Sequence, residues 1–123
     1  MSAGDFALLP HLTGKSYIRT NDKTSINDLN ANGSGLFINT RTAAAVNKLY
    51  RNKIAIINGI TASSGVPDQK FYSLASNDDG VTVAFRADQL AIHILMNGCS
   101  QADVTAISDI LNAAMTSLGT NVY

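Results

Sequence analysis

The chain has 123 residues, of which 46% are hydrophobic and 15% are charged. This composition excludes a disordered chain, because disorder requires low hydrophobicity and high net charge. The length is typical of one domain, so residues 1–123 are expected to share a single core. One cysteine, Cys99, excludes an intrachain disulfide. The sequence has neither a signal-peptide start nor an apolar run of about 18 residues, which predicts a protein that works in water without a membrane partner.

The charges are balanced in number but not in position. Nine basic residues match nine acidic ones, so the net charge gives no indication of a nucleic-acid partner. All nine Lys and Arg residues precede position 87, and the charges after it are Asp88, Asp103 and Asp109. If the C-terminal segment covers one side of the fold, the two sides carry opposite electrostatic fields.

The first half of the chain predicts mainly strands, separated by turn residues. The expected strands are residues 6–9, 16–20, 35–39 and 53–60. Pro10 and Gly14 separate the first two strands, which predicts a hairpin. Residues 21–34 are rich in Asn, Asp, Ser and Gly and predict a loop. Residues 41–51 have a helical composition, so their boundary with the last strand stays open, with little helix expected before Tyr50.

The second half begins with a predicted loop at residues 61–69 and continues with three expected strands. These strands are residues 70–76, 81–86 and 89–96. The first two of these strands are joined by a predicted tight turn, Asn77, Asp78, Asp79 and Gly80. A hairpin turn explains these four residues better than a cation site does. Alternation in the third strand puts one set of side chains on one side: Leu90, Ile92, Ile94 and Met96. The opposite side carries Gln89, Ala91, His93 and Leu95.

A helix is predicted over residues 100–118, where the apolar period changes from two to 3.6. Ser100 is a candidate N-cap with Asp103 three residues on, close to a capping box. Gly119 stands where a C-terminal cap belongs. The apolar stripe of this helix comprises Val104, Ile107, Leu111, Ala114, Met115 and Leu118.

A run of strands followed by one apolar-striped helix predicts an α+β fold, with an N-terminal hairpin and an antiparallel sheet. A helix of about 19 residues can cover only part of a sheet of about six strands. The rest of that sheet must be solvated, bound to a ligand, or shared with a second copy of the chain.

Two segments carry a resemblance to a known family. Residues 33–60 have the order of a Gly-flanked strand, an Ala-rich connection, basic residues and a β-branched strand. Residues 86–115 have the order of a last strand, a short polar turn and an apolar-striped helix, and Tyr123 is a familiar terminal residue. In these features the chain resembles the coat proteins of single-stranded RNA bacteriophages. It departs from the better-known members in the short acidic turn and in the few residues after the helix.

The resemblance implies an intertwined homodimer in which two subunits form one sheet and each helix packs on the partner subunit. Such dimers assemble into an icosahedral shell, hold single-stranded RNA on the inner sheet face, and repress translation by binding an RNA hairpin. It further implies a structural protein of the virion, assembled in the host bacterial cytoplasm, without enzymatic activity. In the family, contacts between dimers involve the region of the acidic turn, Asn77 to Gly80 here.

The expected RNA face combines cations with stackable rings. Arg51 and Lys53 lie two apart on one predicted strand and would share a face. On the neighbouring strand either Lys70 and Tyr72 or the alternate set beginning at Phe71 would join them, and the first set is favoured. The expected RNA-binding residues are Arg51, Lys53, Lys70, Tyr72, Gln89 and His93. Without the resemblance, a solvated sheet face with scattered charges explains these residues better.

The helix stripe supplies the expected dimer interface, and at this point core and interface cannot be separated. The interface residues are Val104, Ile107, Leu111, Met115 and Leu118. The chief rival function is a small dimeric α+β module that binds another protein. A hydrolase or redox enzyme would rest on His93, Cys99 and Asp88, but the extended spacing between them argues against a triad. No cofactor and no metal site are expected, since two His and one Cys stand at unrelated positions.

Overall fold

The fold is seen in a computed structural model, which describes residues 5–66, 70–78, 81–83, 85–87 and 89–120. Within these ranges the chain forms eight strands and one helix, which confirms the predicted α+β class. In chain order the elements are β1 (Asp5–Leu12), β2 (Lys15–Asp22), β3 (Ile26–Leu29), β4 (Phe37–Ala43), β5 (Val46–Arg51), β6 (Ile54–Gly59), β7 (Ser76–Asp78), β8 (Val81–Val83) and α1 (Gln101–Ser117).

The N-terminal sheet has the strand order β1-β2-β3, and all its neighbours are antiparallel. The predicted hairpin is confirmed, but Pro10 lies inside β1 and not between the strands. β1 is an edge strand of this sheet, where a residue without an N–H is tolerated. The prediction that residues 21–34 are all loop is wrong, because β3 pairs with β2 through Ile18 and Ile26. Only Ile26 of β3 turns inward, so the strand reads as polar.

The second sheet has the order β4-β5-β6 and is again antiparallel. It settles the open boundary, since the region with helical composition contains β5 and no helix. The turn between β5 and β6 is Asn52 and Lys53, with φ of 48° and 74°. Positive φ at both central residues is the mark of a type I′ hairpin turn. The prediction that Arg51 and Lys53 share one strand face is therefore wrong, because β5 ends at Arg51.

One face of the second sheet packs on the N-terminal sheet. Ile18, Leu49 and Ile57 form the buried centre of this core. Beside it the contact is polar: Asn39 Nδ2 donates to the Thr20 hydroxyl at 2.6 Å, and Arg41 Nε donates to the Thr20 carbonyl at 2.7 Å. The two sheets thus form a sandwich with one apolar half and one hydrogen-bonded half.

The other face of the second sheet carries the start of α1. Tyr50, Cys99 and Val104 form a second buried cluster there. The Thr40 hydroxyl accepts from the Cys99 N–H at 2.7 Å and donates to the Cys99 carbonyl at 3.1 Å. This pair of bonds fixes the segment before α1 to β4. The first half of α1 consequently packs on the second sheet of its own chain.

The ends of α1 are as predicted. Ser100 is the N-cap, and its hydroxyl and the Asp103 carboxylate form a complete capping box. Gly119 follows the helix with φ of 70°, and its N–H donates to Thr116. Glycine adopts this left-handed conformation without steric cost, which explains the stop.

The capping box makes stability depend on pH. Hydrogen bonds from the Ser100 hydroxyl and N–H hold the pKa of the Asp103 carboxyl below its ordinary value. A lowered folded-state pKa stabilises the chain above the unfolded-state pKa, about 3.9, and this stabilisation is lost as the pH falls through the folded-state pKa. We expect the Asp103→Asn chain to lose less stability than the wild type between about pH 5 and pH 2. Thermal melts followed by circular dichroism across that range test this, and parallel curves would contradict it.

Residues 70–75 and 85–96 are the main departure from the predicted strands. The expected strands 70–76 and 89–96 are wrong, since these segments lack regular structure wherever they are described. β7 and β8 form a short hairpin instead, with Asp78 opposite Val81. Asn77 and Asp78 therefore belong to a strand and not to the turn, and Asp79 and Gly80 lie outside the described residues.

Candidate functional site

A run of exposed apolar side chains follows β8. The members of this apolar segment are Leu90, Ile92, Ile94, Leu95 and Met96. Leu95 is 61% exposed, and the other four are between 41% and 54% exposed. Single exposed apolar residues are common on soluble proteins, but a contiguous group of them marks a contact surface. The apolar segment is therefore a candidate interaction site.

The predicted interface stripe of α1 divides into a buried start and an exposed end. Val104 is fully buried against its own chain, and Ile107 packs on the same cluster. Leu111 and Met115 are half-buried, whereas Leu118 is 72% exposed. Val104 thus belongs to the core of its own chain, and the free apolar surface of the stripe lies toward the C-terminal end of α1.

Arg51, predicted to bind RNA, is engaged within the chain. Its Nε donates to the Ser34 carbonyl at 2.9 Å, Nη1 to Asn30 Oδ1 at 2.8 Å, and Nη2 to Asn32 Oδ1 at 2.7 Å. The guanidinium carbon lies 5.7 Å from the centroid of the Phe37 ring. Arg51 therefore organises the connection between β3 and β4.

Lys53, the second predicted phosphate contact, forms an ion pair with Asp109 of α1. The Lys53 carbonyl also accepts a hydrogen bond from Gln101 Nε2 at 3.3 Å. The β5–β6 turn is in this way attached to the helix at two points. Lys53 and Arg51 consequently contact different parts of the chain and do not form one cationic face.

His93 lies in a ring cluster on the side of β1. Its ring stacks on Phe71 with centroids 4.9 Å apart, and Phe71 meets Phe6 edge to face at 5.2 Å. Ser73 Oγ is 2.8 Å from His93 Nδ1. The neighbours of His93 are thus Phe71 and Ser73, the set that sequence reasoning did not favour.

The other three predicted RNA contacts lie at or near the surface. Lys70 and Gln89 are exposed, and Tyr72 is half-buried. Since residues 70–75 and 89–96 are not strands, the shared sheet face expected for these residues and His93 is not formed within the chain.

A cleft that sequence reasoning missed lies between the second sheet and the start of α1. We call it the Lys48 cleft; it has a volume of about 110 Å³ and is lined by Thr40, Thr42, Val46, Lys48, Tyr50, Cys99, Ser100 and Gln101. Lys48 and Tyr50 are two apart on β5 and point to the same side, where Thr40 is opposite Lys48 in the register. Reading residues 46–51 as a strand would have placed this cation and this ring together.

Cys99 forms part of the wall of the cleft and is not prepared for nucleophilic chemistry. Burial, and secondarily the charge of Asp103, raise the pKa of its thiol. Its Sγ contacts Met96 Sδ at 3.2 Å and the Asn97 carbonyl at 3.4 Å. The His93 ring contacts Phe71 and Ser73 instead, so the thiol and the imidazole are not brought together as a catalytic pair.

Neither a membrane-crossing helix nor a metal-type cluster occurs among the described residues. No helix there is long and apolar enough to span a bilayer. No group of three His, Cys, Asp or Glu side chains is placed to hold a metal ion in those same ranges. Comparisons of the chain with protein-family models, with curated proteins and with solved structures find no match.

Proposed function

We propose that this chain is a structural coat subunit that pairs with a second copy, assembles into an icosahedral shell and binds single-stranded RNA. The observation that carries the proposal is the apolar segment, five exposed apolar residues that the described chain leaves uncovered. The exposed C-terminal end of the α1 stripe adds to it through Leu118. The resemblance of residues 33–60 and 86–115 to phage coat proteins supports the same function.

A second copy is the partner that the apolar segment suits best. Residues 89–96 alternate as a strand does, yet in the chain alone they are not paired. Two copies related by a two-fold axis present the same segment to each other, as an isologous interface requires. Pairing would supply backbone hydrogen bonds and would bury the apolar side chains in one step. In this proposal the segment becomes a strand on dimerisation.

RNA binding is proposed from the distribution of charge. All nine basic residues precede position 87, so the cations and the acidic C-terminal segment are separated along the chain. Phosphates of packaged RNA would bind cations of this earlier part of the chain. The predicted contacts remain Arg51, Lys53, Lys70, Tyr72, Gln89 and His93, joined by Lys48. The shell would form in the bacterial cytoplasm, would have no enzymatic role, and would allow dimers to repress translation by binding an RNA hairpin.

Size-exclusion chromatography with negative-stain microscopy of the purified full chain tests the proposal. We expect closed particles whose ultraviolet spectrum contains a nucleic-acid component. A discrete dimer of about 26 kDa, twice the 13.0 kDa chain, would favour the dimeric interaction module instead. A monomer at high concentration would contradict both functions.

A further inference from the structure

We propose that the Lys48 cleft binds a single phosphate group. The inference that this phosphate belongs to RNA rests on the proposed coat function. The inference that the cleft binds a phosphate group does not depend on that function. Two residues carry the argument, Lys48 with its ammonium and Tyr50 with its hydroxyl, and both line the cleft from one face of β5. Neither side chain forms a hydrogen bond or an ion pair with any residue that the structure describes.

Tyr50 gives the cleft a donor that the fold itself does not use. The residue is 2% exposed, yet its hydroxyl oxygen is not fully enclosed by protein atoms. Because Tyr50 lines the cleft, we infer that the hydroxyl contacts solvent there. A buried tyrosine normally directs its O–H to a hydrogen-bond partner. Here the available partner is whatever occupies the cleft.

Lys48 supplies the charge. It is half-buried and stands opposite Thr40 in the sheet. An ammonium, a phenol and the exposed Thr42 hydroxyl are all hydrogen-bond donors, and an ammonium has no acceptor capacity. A positive charge with hydroxyl groups beside it fits an oxyanion, since the ammonium would repel a cation. Hydrogen bonds between an ammonium and a phosphate oxygen are stronger than neutral ones.

The size of the cleft restricts the ligand. With a volume of about 110 Å³, the cleft suits a small group such as one phosphate better than a whole nucleotide. A sugar and a base would remain outside, so the cleft is expected to bind phosphate without selecting a base.

Asp103 places a negative charge beside the cleft. Its carboxylate accepts hydrogen bonds from the N–H and the hydroxyl of Ser100, which lines the cleft. An anion in the cleft would be repelled by the same carboxylate. Asp103→Asn is therefore expected to increase phosphate affinity a few-fold, a gain that loss of folding cannot mimic.

The test measures the affinity of the full chain for inorganic phosphate by calorimetry and for a labelled single-stranded RNA oligonucleotide by anisotropy. Lys48→Met should weaken phosphate binding about tenfold, and Tyr50→Phe should weaken it several-fold. Lys23→Met is the matched control, since it removes the same charge from an exposed residue after β2. Its effect on phosphate binding should be less than about twofold.

Equal effects of Lys48→Met and Lys23→Met on phosphate binding would overturn the proposal. If both phosphate and RNA binding weaken in Lys48→Met alone, the phosphate is that of RNA; if only phosphate binding weakens, the occupant is free phosphate. Microscopy of the same samples keeps the two proposals apart. Wild-type chain that binds phosphate through Lys48 but forms no particles would retain this inference while contradicting the coat function.

Discussion

The Leu90→Asp chain is expected to fold and to stay monomeric. Leu90 is 50% exposed in the chain alone, so a carboxylate there remains solvated and leaves the monomer intact. In the proposed dimer the same side chain lies in an apolar contact, where an unpaired charge costs about 3 to 5 kcal/mol. That cost weakens association by a factor of about 150 to about 4,000. Sedimentation or chromatography over a concentration series measures the change.

A matched control separates this surface from general effects of charge. Leu29 of β3 is 78% exposed, and Leu29→Asp introduces the same group on the N-terminal sheet, away from the apolar segment in the sequence. This variant should associate as the wild type does, while circular dichroism should show normal helix content in both variants. A Leu90→Asp chain that still dimerises would show that the apolar segment is not the subunit interface.

Local signals account for the parts of the fold that sequence reasoning predicted well. The capping box joins Ser100 to a residue three positions away, and the helix period repeats within one segment. The N-terminal hairpin likewise depends on strands that are neighbours in the chain. Each of these features is determined by residues close in sequence, so a single sequence contains the necessary information.

The wrong structural predictions concern segments whose structure depends on residues that are distant in sequence or on local features that the residue types do not show. Residues 89–96 have the alternation of a strand, but a strand also needs a neighbour, and the described chain provides none. β3 was missed because three of its four residues face solvent and resemble a loop. The turn at Asn52 and Lys53 was missed because lysine seldom adopts positive φ, and this turn decides where both predicted cations point.

The candidate site followed the same pattern. The sequence predicted a site of cations and rings, and the Lys48 cleft contains one of each, but the grouping of these residues depended on strand boundaries. With residues 41–51 left open between helix and strand, Lys48 and Tyr50 could not be placed on one face. Arg51, which looked like a free cation two residues from Lys53, proved to be bound by three acceptors of its own chain.

Removal of the Arg51 side chain is expected to destabilise the fold, and removal of Lys53 is not. Arg51→Ala eliminates three charged hydrogen bonds and the contact with the Phe37 ring, so we expect a loss of about 2 to 3 kcal/mol. Lys53→Ala removes a positive charge two residues from Arg51, but this charge belongs to a solvent-exposed ion pair with Asp109. The cost of Lys53→Ala should therefore be at most about 1 kcal/mol. Urea unfolding of both variants gives the comparison directly.

Arg51→Lys distinguishes the geometry of the guanidinium from its charge. A lysine keeps the charge but cannot bond Asn30, Asn32 and the Ser34 carbonyl with one planar group, so most of the loss should persist. Equal midpoints for Arg51→Lys and the wild type would show that these bonds add little to stability. RNA binding also separates a structural Arg51 from one that contacts phosphate. If Arg51 is structural, an Arg51 variant that still folds should keep the wild-type slope of log RNA affinity against log salt concentration. Loss of a phosphate contact would make that slope shallower by about 0.7.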